Sequence, residues 1–257
     1  MELFDTHCHV HFADYKIDVQ QVSKNSLAAG VKYQMLVGCT LEDSIAAFDY
    51  AKKTGDLKSY ISIGLHPHEG SVYAGDELAL AEFSELATRP EVVAIGETGL
   101  DYYYNHSDRI TQEKLFRFQL DLAAKHDLPL IFHVRSAFTE FFEILDTYQN
   151  IRGVVHCFSS GEAELHEILK RGLYVGLNGI MTFTHDQGQL AAAKKVPLDR
   201  LLLETDSPYL TPKPFRGTIC EPKHVAVTAE FLASLRGEKL EDLVATTTAN
   251  AIKLFKL

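Results

Sequence analysis

Short apolar runs alternate with longer amphipathic segments along the whole chain. The runs are Leu3–Val10, Tyr33–Cys39, Tyr60–His66, Val92–Thr98, Leu130–Arg135, Gly153–Phe158, Tyr174–Ile180 and Leu201–Asp206. Each is rich in β-branched or aromatic residues and bounded by Gly, Pro or charge, as expected of strands covered on both faces in a parallel sheet. Between them the spacing of apolar residues predicts helices over Ile17–Ala29, Glu42–Lys53, Asp76–Ala87, Ile110–Lys125, Ala137–Tyr148, Ala163–Arg171 and Leu190–Lys195. Two more, Lys223–Leu235 and Leu240–Phe255, follow the last strand. The first helix opens near Asp18 and stops before Gly30, a C-terminal signal. Strand-to-strand steps average about 28 residues, close to the length of a βαβ repeat. The pattern predicts an α/β protein, a closed TIM (β/α)8 barrel forming a single domain over residues 1–257. An open doubly wound sheet usually has fewer strands and a Gly-rich first turn. Here the first strand ends in histidines.

Composition narrows the partners. A chain of 257 residues with 46% hydrophobic and 23% charged residues is long and apolar enough to build its own core. A formal charge of -10 excludes a protein that coats duplex nucleic acid through a broadly basic surface. It leaves room for a local positive site made of metal ions. Cys8, Cys39, Cys157 and Cys220 are far apart and form no CxxC pair, so a reducing, cytoplasmic location is expected. The opening MELFDTHCHVHF lacks the basic and apolar regions of a signal peptide. No apolar run approaches the ~18 residues of a membrane span, so no membrane association is expected. The sequence leaves the oligomeric state open, with a monomer compatible with it.

Ionisable residues near the C-terminal ends of apolar strands are the unusual feature. The first strand carries His7 and His9, the fourth Glu97, the fifth His133, the sixth His156 and the eighth Asp206. A carboxylate buried without a partner is costly, and a metal ion would compensate it. In a barrel all C-terminal strand ends converge on one face, so these six side chains can meet. His7 and His9, two residues apart, share one face of their strand, while Cys8 points back toward the helices as a small buried hydrophobe. Taken singly, each has a plainer explanation: a core histidine, a loop-bracing glutamate, a turn-initiating aspartate. Their joint occurrence at strand ends favours a metal centre.

The motifs DTHCHVHF at the start, GLHPH at Gly64–His68, AIGETGLDYYY at Ala94–Tyr104 and IFHVR at Ile131–Arg135 resemble those of the TatD family of metal-dependent deoxyribonucleases, within the amidohydrolase-like barrels. So do VVHCFSSG at Val154–Gly161, ETDSPYL at Glu204–Leu210 and PKPFRG at Pro212–Gly217. The resemblance spans the whole chain. It implies two divalent cations, one held by His7, His9, Glu97 and Asp206 and the other by Glu97, His133 and His156, with Glu97 as the shared bridge. It also implies that His66 and Arg135 face substrate. Arg216 falls on the loop after the eighth strand, where barrels often bind phosphate. One departure is visible: the family usually reads RGxxNEP there, whereas this chain has RGTICEP, with Cys220 in place of an amide.

The charge of such a centre favours anionic substrates without identifying one. Four neutral imidazoles, two carboxylates and two divalent ions leave a formal charge of about +2, which suits a phosphodiester better than a neutral amide or lactone. Imidazole and carboxylate ligands without thiolate are compatible with Zn, Mn or Mg. The expectation is a hydrolase of DNA phosphodiesters acting on single strands or strand ends. Asp206 would be ligand and proton acceptor, and Glu97 would bridge. His66 and Arg135 would neutralise phosphate oxygens, and Tyr102 in the Tyr102–Tyr104 cluster would either stack on bases or pack the loop that carries it. A small-molecule hydrolase with the same metals is the main alternative, and a non-catalytic binding barrel a more distant one.

Overall fold

The computed structural model describes residues 2–104 and 106–257. Eight parallel strands follow one another in sequence order: β1 (Leu3–Cys8), β2 (Val31–Val37), β3 (Lys58–Ile63), β4 (Val92–Asp101), β5 (Leu130–Arg135), β6 (Gly153–Val155), β7 (Tyr174–Leu177) and β8 (Leu201–Leu203). A bridge between Cys8 and Ser207 joins the ends. Beside it, the His9 N–H donates to the Ser207 carbonyl at 2.7 Å and the Asp206 N–H to the His7 carbonyl at 2.9 Å. The sheet therefore comes round to a nearly closed TIM barrel, as the strand pattern predicts.

Helices α1 (Val19–Ala28), α2 (Leu41–Ala51), α3 (Gly70–Tyr73), α4 (Glu77–Leu86), α5 (Arg109–His126), α6 (Phe138–Leu145), α7 (Glu162–Lys170), α8 (Gln187–Lys195), α9 (Val225–Arg236) and α10 (Leu240–Phe255) complete the chain. Asp18, Thr40, Asp76, Asp108 and Asp186 start five of them by accepting a first-turn N–H, which satisfies a donor that has no partner within the helix. The predicted helices are all present, and α3 is an addition after β3. Among the described residues no helix is long and apolar enough to cross a membrane.

Alternation along the strands sorts side chains into two cores. Phe4, Met35, Ala94, Ile131, Val154, Tyr174 and Leu202 fill the barrel together with Leu254 and Phe255 of α10. The other faces, including Leu36, Ile63, Ile95 and Phe132, pack outward against Phe83, Phe116 and Phe141 of the helices. Phe4 meets Tyr33 at 5.5 Å, Tyr60 at 5.8 Å and Phe255 at 6.3 Å between ring centroids. These rings close the end of the barrel at which the strands begin.

Several strands are shorter at their C-terminal ends than the apolar runs suggest. β6 ends at Val155 and β8 at Leu203, so His156 and Asp206 stand just beyond the ladder. The backbone there turns sharply, with Cys157 at φ 50 and Asp206 at φ 64. These left-handed conformations are uncommon outside glycine and concentrate at functional sites.

Gly64, just past β3, shows how tightly the top is built. A Cβ there would lie 2.1 Å from the Glu97 nitrogen and 2.2 Å from the Gly96 carbonyl carbon. Gly64→Ala is therefore expected to displace the segment carrying Glu97 and to cost about 1–3 kcal/mol. Urea unfolding checks this; an unchanged midpoint would mean that the two segments have slack.

Candidate metal centre

Inward positions change from apolar to ionisable on rising through the barrel. On β5 the series is Ile131, His133, Arg135; beyond β6, Val154 is followed by His156; beyond β8, Leu202 is followed by Glu204 and Asp206. The ladder shifts register between Asp5 and Cys8 of β1 and between Ile95 and Thr98 of β4. Such shifts change which face the following side chains take. They bring His7 and Glu97 to the mouth and leave Cys8 in the outer core, its thiol donating to the Met35 carbonyl at 3.2 Å.

Glu97 occupies the middle. Its Oε1 lies 2.7 Å from His133 Nδ1, 2.8 Å from His156 Nε2 and 3.4 Å from His66 Nε2. Its Oε2 lies 3.3 Å from His7 Nε2 and 3.5 Å from His9 Nε2. Asp206 Oδ1 is 3.6 Å from His7 Nε2 and 3.3 Å from His9 Nε2, and those two nitrogens are 3.0 Å apart. Among the described residues, ligand atoms within 4.8 Å of one another form three sets: His7, His9 and Glu97; His7, His156 and Asp206; and His66, Glu97 and His133. A tetrahedron of ligands about 2.0–2.1 Å from a zinc ion has edges of about 3.4 Å. The separations around His7, His9, Glu97 and Asp206 are of that size.

The partner of each ring's other nitrogen sets its tautomer. His9 Nδ1 faces the Val37 carbonyl at 2.7 Å and must donate, which leaves a lone pair on Nε2 toward Glu97 and Asp206. His133 Nε2 donates to Asp101 Oδ2 at 3.1 Å, so its Nδ1 lone pair confronts Glu97 Oε1. Two acceptors that close require a proton or a cation between them. His66 is different. Its Nδ1 accepts the His68 N–H at 3.2 Å, so Nε2 carries the hydrogen and enters the cluster as a donor.

The titration behaviour follows from burial and these contacts. Burial pushes the Glu97 carboxyl up, yet His156, His66 and His133 outweigh it and hold the group well below the usual carboxylate range. Burial is likewise overcome at Asp206 by His9, His7 and His156, which lower it. Burial pulls every histidine here down. Asp206 and Glu97 reverse this for His9, Asp101 and Glu97 for His133, and Glu97 and Glu204 for His156, so these three are raised. Burial leaves His7 lowered and takes His66 to about 4. The carboxylates thus attract positive charge into the cluster, and divalent cations can supply it in place of protons. The residues present fit a metal centre.

Three carboxylates that the sequence pattern did not single out support this cluster. Asp101 backs His133 and also receives His68 Nε2 at 2.9 Å. Glu204 Oε1 lies 3.7 Å from His156 Nδ1 and accepts the Cys157 N–H at 2.6 Å. Asp5 accepts the Thr205 N–H at 2.8 Å and its hydroxyl at 2.7 Å, tying β1 to the segment that carries Asp206. Each is a further acid within an already interrupted strand motif, which is the signal that could have found it. The Cys39 thiol also donates to Glu97 Oε2 at 3.6 Å.

The expected substrate contacts divide. Arg135 is exposed at the top of β5, its guanidinium 4.6 Å from the Tyr103 ring centre and 4.5 Å from that of Tyr104. Arg216 is exposed on the loop after β8, where it donates to the Thr211 carbonyl at 2.9 Å and covers the Phe183 ring at 4.0 Å. Tyr102 departs from the stacking expectation: its hydroxyl donates to Glu113 at 3.1 Å and its ring lies under Arg109 at 4.1 Å. Held against α5 in this way, it leaves Tyr103 and Tyr104 as the exposed rings of the cluster. Cys220 is buried and presents nothing to solvent.

Imidazoles and buried carboxylates gathered where barrel strands end are the equipment of metal-dependent hydrolases. A family model described as TatD related DNase matches residues 4–256. The chain belongs to this family and is a metal-dependent hydrolase acting on ester bonds. It is 35% identical over 257 residues to the uncharacterized metal-dependent hydrolase YabD of Bacillus subtilis, covering 99% of each chain. It is 37% identical over 260 residues to the 3'-5' ssDNA/RNA exonuclease TatD of Cronobacter sakazakii, covering 98% of this chain and 97% of that one. The crystal structure of YJJV, a TatD homolog from Escherichia coli, matches with a TM-score of 0.89 at 27% identity over 99% and 98% of the two chains.

A carboxylate behind a ligating imidazole fixes the ring and raises its basicity, and its loss typically costs 10–100-fold in metal affinity. Asp101→Asn is therefore expected to weaken divalent-cation binding on the His133 side by roughly that factor. Calorimetric titration with Mn2+ or Zn2+ measures it. Unchanged affinity would mean that Asp101 does not act on the metal centre.

Proposed function

We propose that this protein hydrolyses phosphodiester bonds of DNA, on single strands or strand ends, using two divalent cations. His7, His9, Glu97 and Asp206 would hold one; Glu97, His133 and His156 would hold the other. The observation that carries this reading is the division of Glu97, with Oε2 turned to His7 and His9 and Oε1 to His133 and His156. A relative named for exonuclease action on ssDNA and RNA supports a nucleic-acid substrate.

Bound cations would bring a water's pKa from 15.7 to about 7 and neutralise charge on the phosphate; Zn, Mn and Mg all suit the ligands. Asp206 is held ionised by its imidazole neighbours, against its burial, and its side chain keeps 15% exposure at the mouth, so it accepts the proton of the attacking water. His66 stays neutral at working pH because burial lowers it, and its Nε2–H donates to a non-bridging phosphate oxygen. Arg135 offers a guanidinium fork to the same phosphate. Arg216, with one nitrogen already engaged, contacts the strand from the β8 side.

Metal-stripped protein should not degrade an end-labelled single strand, and added Mg2+, Mn2+ or Zn2+ should restore activity. Glu97→Ala should reduce turnover to background; a variant that retains it overturns the bridging role. Faster degradation of closed circular duplex than of single strands would overturn the proposed substrate, and turnover of esters or lactones alone would point to a small-molecule hydrolase. Arg135→Ala removes a charge-assisted hydrogen bond worth about 1.5–3 kcal/mol, so kcat/KM should fall roughly 10- to 100-fold.

A further inference from the structure

Beyond the metal centre, a run of rings leads outward along the β3–β5 side of the mouth. His66 lies 4.5 Å from His133 and 4.3 Å from His68 between ring centroids. His68 lies 6.2 Å from His133 and 5.9 Å from Tyr104. His106 stacks on Tyr104 at 5.9 Å with an interplanar angle of 23°. Tyr103 and Tyr104 end the run, 4.9 Å apart and nearly perpendicular at 89°. They remain 62% and 50% exposed.

Exposed rings are ordinary when they lie on loose loops. These are anchored. Asp101 is fully buried, and its Oδ1 accepts the backbone N–H groups of both Tyr103 and Tyr104 at 3.0 Å, while Oδ2 faces His133 and His68. Gln112 pins the Asp101 peptide in turn, accepting its N–H at 2.8 Å and donating to its carbonyl at 2.9 Å. One carboxylate thus fixes a candidate metal ligand and the two aromatic residues together. A preformed surface loses little entropy when it is covered. Arg135 holds positive charge against both rings and is two residues along the strand from His133, on the same face.

The geometry points to Tyr103 and Tyr104 as a binding site for unpaired nucleobases next to the scissile phosphodiester, a subsite that rests on the nuclease reading above. A base is flat and uncharged, so an aromatic ring receives it, while the phosphate beside it meets Arg135. Base pairs within a duplex already have both faces stacked, so the subsite takes single-stranded substrate. Stacking uses the π-face that every base has, so the preference among bases is weak.

The test replaces both rings and the bases they would hold. Tyr103→Ala combined with Tyr104→Ala keeps the backbone N–H groups that bind Asp101. On a single-stranded oligonucleotide this double variant is expected to lose roughly 10- to 100-fold in kcat/KM, mainly through KM, with the double phenylalanine variant restoring it. An abasic residue is then walked inward from the cleaved end. At the position served by the subsite, wild-type protein should fall by the same factor, and the alanine variant should lose nothing further. If the alanine variant keeps full activity on the natural strand, the subsite is overturned and the nuclease reading stands. A loss in that variant that is equally large on the abasic strand at every position overturns the subsite as well. If wild-type protein turns over bis(p-nitrophenyl) phosphate but cleaves no oligonucleotide, both fall.

Discussion

Glu97 is 4% exposed and surrounded by five imidazoles, so its charge must be answered from within the protein or by bound cations. A carboxylate taken from water costs several kcal/mol unless positive charge and hydrogen bonds replace the solvent. Here the replacement is divided over the two oxygens, each facing its own group of rings. The surrounding structure serves that division. Register shifts in β1 and β4 aim the side chains, a bare Cα at Gly64 lets the backbones approach, and Asp101 and Glu204 stand behind His133 and His156.

The barrel separates this demand from the work of staying folded. Apolar residues fill its interior and its strand–helix layer, and burial at about 25 cal/mol per Å2 stabilises both. The ionisable residues lie above them, where strands give way to loops and the chain can take left-handed turns such as those at Cys157 and Asp206. Rigid strands place the rings, and the loops above them carry Arg216, Tyr103 and Tyr104. A site built on such supports is positioned more accurately than one built on loops alone.

The sequence was most legible where it broke its own pattern. A histidine or carboxylate in an otherwise apolar strand conflicts with burial, and the six positions singled out on that ground meet at one end of the barrel: His7, His9, Glu97, His133, His156 and Asp206. Periodicity is blind to a second acid in the same strand. Asp101 lies three residues beyond the point where the apolar run stops, at the end of a longer β4. Glu204 and Asp206 would share a face if the strand continued. Because β8 ends at Leu203 and Asp206 is left-handed, one carboxylate passes behind His156 and the other turns to His7 and His9. The choice among three consecutive tyrosines is lost for the same reason, since parity has no meaning in a turn. Tertiary contacts with Arg109 and Glu113 decide it for Tyr102.

The sharing of Asp101 has an evolutionary consequence. The carboxylate that orients His133 also holds the backbone of Tyr103 and Tyr104, so on the roles proposed for them drift in substrate preference and drift in metal affinity would not be independent. Substitutions in contact through a common partner typically couple by about 0.5–3 kcal/mol. A lineage altering one half of this arrangement would need compensating change in the other, and the order in which such changes arise would decide which of them survive.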